Sequence, residues 1–64
     1  MTGKKIMKVL KKHGWYLERI TGSHHIFYKE GFRSIAVPVH GKKDLGPGLL
    51  KAIFRQAGLE KDEL

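Results

Sequence analysis

The chain has 64 residues, enough for one domain and too few for two separate cores. It contains no cysteine, which excludes disulfides and thiolate zinc ligands, so the 41% of hydrophobic residues must build the core. Lysine and arginine number 13 against 6 acids, a net charge of +7. That field favours a polyanion: nucleic acid first, then an acidic protein, then an anionic membrane.

Glu60, Asp62 and Glu63 crowd the tail at 60–64, which is expected to fray, and the body before it is more basic still. A blander reading stands beside the polyanion: the lysines only keep a small domain soluble. No apolar run approaches the roughly 20 residues needed to cross a membrane. Lysines also interrupt the start, Ile6-Met7-Lys8-Val9-Leu10-Lys11-Lys12, where a signal peptide would be apolar. The lack of cysteine fits a cytoplasmic protein.

Ile6, Val9, Leu10 and His13 recur at helical spacing, with Lys4, Lys5, Lys8, Lys11 and Lys12 around the rest of the circumference. The pattern predicts a helix over about 3–13, started by Thr2 or Gly3 and ended by Gly14. Its lysines form a solvated face or a phosphate-binding one.

Trp15 to Ile20 is aromatic and branched, bounded by Gly14 and Thr21-Gly22, and reads as a strand. Ser23 to Lys29 reads as a second strand across a short turn. Glu30-Gly31 signals another turn, and Phe32 to Val39 a third strand with Pro38 at an edge or bulge. The glycine-rich stretch 40–48 is a loop. Pro47 suits the first position of a helix whose stripe is Leu50, Ile53, Phe54 and Ala57, with Gly58 as its cap and Leu59 as the contact after it.

The order α-β-β-β-α predicts an α+β fold, a two-layer sandwich of helices on a three-stranded antiparallel sheet. It is the element order of the double-stranded RNA-binding domain. One domain should span 1–64.

The chemistry centres on Gly22-Ser23-His24-His25. Strand side chains alternate faces, so the two histidines diverge; Ile26 and Tyr28 go with His24, and Phe27 goes with His25. Phe27 suits a core under helices, which turns His24 outward. His25 is best read as a structural histidine, whereas His24 is open between structure and chemistry. Imidazole titrates near neutrality and can move protons at working pH. RNA cleavage needs that, with lysines to hold phosphates and offset developing charge. Ser23 as nucleophile ranks far lower, because no acid is placed to orient a histidine. The four histidines show no ligand spacing, so no metal or cofactor is expected. Gly41-Lys42-Lys43-Asp44, ahead of a helix start, is a phosphate or carboxylate site or a plain soluble loop.

Several pieces in order complete the pattern: Gly14-Trp15-Tyr16, Gly22-Ser23-His24-His25 with Phe27, Val37-Pro38, Lys42-Lys43-Asp44-Leu45, Leu50-Lys51-Ala52-Ile53 and Gln56-Ala57-Gly58-Leu59. From Ile6 to Leu59 the chain resembles the HicA toxins of HicAB toxin–antitoxin systems. No single piece is specific; their order and spacing are. The resemblance implies a double-stranded-RNA-binding-like fold and an mRNA interferase, a ribosome-independent endoribonuclease neutralised by a HicB antitoxin. It implies a catalytic histidine matching His24, with Gly22, Ser23 and His25 as its structural neighbours. Charge and placement make Lys29, Arg33, Lys42 and Lys43 the candidates for phosphate contacts. The alternative is a non-catalytic RNA- or DNA-binding module on the same basic surface.

Overall fold

The chain starts its first helix through a side chain. Thr2 Oγ1 accepts a 3.2 Å hydrogen bond from the Lys5 N–H, filling one of the donors that a helix start leaves over. Helix α1 covers Gly3–Lys12, with Lys11 and Lys12 at its carboxyl end where the dipole favours cations. Ile6 and Leu10 on its inner stripe are fully buried. The computed structural model describes residues 1–59, so the tail expected to fray lies outside the described residues.

Three strands follow: β1 (Tyr16–Thr21), β2 (His24–Tyr28) and β3 (Ile35–Pro38), then helix α2 (Pro47–Ala57). The sheet order is β1-β2-β3, antiparallel throughout. This is the α-β-β-β-α sandwich that the element order predicts.

β2 and β3 are shorter than the apolar runs suggest and β1 is shifted by one residue, because their flanks serve other elements. Trp15 donates its N–H to the Leu10 carbonyl at 2.9 Å, closing the end of α1. Phe32 donates to the Lys29 carbonyl at 3.0 Å, closing the turn after β2, and its ring packs 5.3 Å from that of Trp15. Val39 lies past β3, yet its N–H still reaches the Ser23 carbonyl at 2.8 Å.

Both helices pack chiefly against β3. The core therefore gathers Ile6 and Leu10 of α1, Ile53 and Ala57 of α2, and Phe27, Ile35 and Val37 of the sheet. Each of these side chains except Ala57 is worth about 1.5–3 kcal/mol when fully buried. β1 lies beyond the helices, and its helix-side residues Leu17 and Ile20 stay exposed. Gly58 adopts the left-handed conformation (φ 71), with Gly58 and Leu59 donating back to Arg55 and Phe54 in a Schellman cap.

Residues 39–46 leave β3 and return to the start of the chain. Asp44 bridges Thr2 and its carboxylate lies 3.3 Å from the Met1 amino group, while the Leu45 N–H donates to the Met1 carbonyl at 2.8 Å.

Candidate nucleic-acid interface

A two-residue turn, Gly22-Ser23, joins β1 to β2. Gly22 supplies the positive φ (60) and Ser23 has none, the pattern of a type II′ hairpin turn. His24 comes directly after it, in register with Thr21 on one side and Pro38 on the other. A strand residue shares a face with its direct partners. Phe27 is fully buried under the helices, so alternation puts His25 inside and His24 on the helix-free face.

His24 is accordingly exposed and His25 half-buried. His25 lies between Ile20 and Val37, and its Nδ1 is buried without a hydrogen-bond partner. The two adjacent imidazoles do not share a site. Among the described residues, no three histidines or acids come together as metal ligands. Among the described residues no carboxylate bonds His24 either: Glu18 bonds Arg19 at 3.2 Å, and Asp44 pairs with the amino terminus.

The basic candidates divide between the two ends of β2. At the His24 end, the 39–46 loop begins beside Ser23 and exposes Lys42 and Lys43. α1 starts here too, since Gly3 abuts Pro38 and Val39 so tightly that a Cβ would lie 2.7 Å from the Pro38 carbonyl oxygen. Its exposed Lys4 and Lys5 thus join this end, which helical periodicity alone did not reveal. Lys29 and Arg33 belong to the far end, five residues or about 17 Å from His24 along the strand. Lys29 Nζ donates to the His13 carbonyl at 2.8 Å and sits 5.3 Å over the Phe32 ring. Arg33 is exposed in the connection between β2 and β3.

The open face also carries residues that the sequence marks only as strand formers. β1 has a bulge between Leu17 and Arg19. Strict alternation would put Tyr16 and Arg19 on opposite faces; the extra residue puts both on the face that carries His24. Tyr16 pairs with Tyr28, their ring centroids 5.5 Å apart at 68°. The signal for Tyr28 was its spacing of four from His24, whereas Tyr16 needed the register. Among the described residues, no helix is long and apolar enough to cross a membrane.

The family model for the HicA toxin of bacterial toxin–antitoxin systems matches residues 3–59. Among solved structures, the chain is similar to one described as a toxin–antitoxin complex from Streptococcus pneumoniae. The two are 40% identical with a TM-score of 0.80, over 92% of this chain and 98% of that one. No curated protein matches the chain.

Proposed function

We propose, from the premise that this chain belongs to the HicA toxin family of bacterial toxin–antitoxin systems, that it is an endoribonuclease cleaving mRNA through His24. The observation that carries the reading is the opposite placement of two adjacent histidines. His24 is exposed on the helix-free face beside the lysine-bearing end, whereas His25 is turned inward against Val37.

The chemistry needs little more than a proton carrier and cations. His24 takes the proton of a ribose 2′-hydroxyl, and that oxygen attacks the neighbouring phosphorus. The bond to the 5′-oxygen then breaks and the leaving oxygen receives a proton, which leaves a 2′,3′-cyclic phosphate. In the alternative assignment His24 supplies the second proton rather than removing the first. Lys42 and Lys43 hold phosphates at this end and offset the negative charge on the phosphorus oxygens. Arg33 continues the contacts at the far end. Lys29 contributes there with the two N–H groups left after its bond to His13. Internal attack by the 2′-hydroxyl requires no metal, so cleavage should persist in a chelator.

The partner in this reading is a HicB-type antitoxin, and the compartment is the cytoplasm, where mRNA is found. The similar chain in the S. pneumoniae complex supports an antitoxin partner. A net charge of +7 suits an acidic one.

The test is degradation of RNA by purified wild-type protein and by His24→Ala, with and without chelator, alongside growth arrest on expression. Loss of cleavage in a folded His24→Ala protein is expected. Salt-sensitive binding with intact RNA in the wild type would instead mark a non-catalytic RNA- or DNA-binding module.

A further inference from the structure

We propose that Tyr16 and Tyr28 form a stacking platform for one unpaired base of the RNA, flanking the nucleotide that His24 cleaves. The inference rests on the nuclease reading for its substrate and adds a subsite to it.

Cross-strand aromatic pairs stabilise a sheet, and part of this pair's role is that. Tyr16, however, is 53% exposed, so core packing does not explain a large planar ring at this position. The pair meets edge to face, at 68° between ring planes, which leaves ring surface turned to solvent. Among the described residues, no helix covers this face of the sheet. Ile26 is half-buried between the tyrosines and His24, and Ala36 and Pro38 lie beside it, so the surface is low and apolar.

The occupant is single-stranded RNA on two grounds. A tyrosine ring can stack only on a base that its own neighbours have released, and every base has such a face. The surroundings are also cationic. The bulge in β1 brings the exposed Arg19 onto this face next to Ile26, and exposed lysines and Arg33 mark the two ends of β2. Two described acids lie two residues from the tyrosines: Glu18, which is bonded to Arg19, and Glu30, exposed in the turn after β2 and flanked by Lys29 and Arg33.

Spacing then assigns the role. Tyr28 is four strand residues from His24, about 13 Å. That is too far for the nucleotide whose 2′-hydroxyl reacts and suits a neighbour along the strand. The platform thus sets which phosphate comes to His24.

The test uses wild-type protein and a labelled single-stranded RNA with 2′-O-methyl groups, which binds but is not cut. Tyr16→Ala and Tyr28→Ala should each weaken binding about tenfold, and the Phe variants should stay within about twofold. A second measurement leaves the protein intact: abasic nucleotides are scanned along the RNA, and a weakening confined to one position is expected. Alanine variants with unchanged RNA affinity, or an abasic effect spread evenly along the strand, would overturn the platform. So would variants that keep RNA affinity and lose only a co-expressed antitoxin, which would make this face a protein interface. Cleavage of unmodified RNA, measured in parallel, separates the two readings. Cleavage with tyrosine-independent binding sinks the platform alone, whereas tyrosine-dependent binding without cleavage sinks the nuclease alone.

Discussion

Lys29 Nζ donates a 2.8 Å hydrogen bond to the carbonyl oxygen of His13, joining the end of β2 to the end of α1. The same ammonium sits over the Phe32 ring, which packs on Trp15. Hydrogen bonds from charged groups are worth about 1.5–3 kcal/mol when well shielded, and this one is partly buried. Lys29→Met keeps the stem and removes the charge. It should cost about 1 kcal/mol, or 4–8 °C in melting temperature for a domain of this size. Thermal denaturation followed by circular dichroism checks it; an unchanged melting temperature would remove the structural role.

Gly3→Ala should destabilise the protein although alanine is the better helix former. The gain in propensity is at most about 1 kcal/mol. Against it, the new Cβ would lie 2.7 Å from the Pro38 carbonyl oxygen, a backbone atom that cannot swing away. Overpacking of this kind costs about 1–3 kcal/mol, so the clash wins. A denaturant titration reads the sign directly. A stabilised variant would mean that α1 shifts freely on β3.

His24 and His25 should separate cleanly. His24→Ala removes an exposed side chain, so stability should change by less than about 0.5 kcal/mol while RNA cleavage is lost. His25→Leu replaces an imidazole whose buried Nδ1 has no partner. Relief of that desolvation should leave stability equal or raise it by up to about 1 kcal/mol, with cleavage retained. Cleavage lost in both folded variants would show that the inward histidine takes part.

Lys42 and Lys43 are exposed at the His24 end, so their removal should weaken RNA binding without unfolding the chain. For each phosphate that a lysine no longer neutralises, the log–log salt slope of single-strand binding falls by about 0.7. The double alanine variant should therefore have a slope shallower by about 1.4. Titrations at several salt concentrations measure it, and an unchanged slope would place the phosphates elsewhere.

Much of this molecule is legible in the residues. The helical stripes of α1 and α2, a cap at Thr2 or Gly3, Gly58 as a cap and Gly22 as a turn follow from local rules of spacing and backbone freedom. The divergence of His24 from His25 is equally local, since alternation forbids neighbours from sharing a face. The strand ends were less legible: Trp15 and Phe32 look like strand residues, but their N–H groups close a helix and a turn.

Other features exist only once the strands pair and the layers pack. Register put Tyr16 against Tyr28, and the bulge reversed the alternation of β1 so that Arg19 joined His24 while Leu17 and Ile20 shared the other face. An extra residue in one strand is invisible to a period of two, because it exists only relative to the partner strand. Lys29 shows the same limit. Its charge was plain in the sequence, but its hydrogen bond to a carbonyl sixteen residues away came from the fold. Local rules written in the residues were enough for the elements and the outward histidine. Which aromatic and cationic groups share the face of that histidine was a matter for the fold, because long-range pairing, not local propensity, sets that placement.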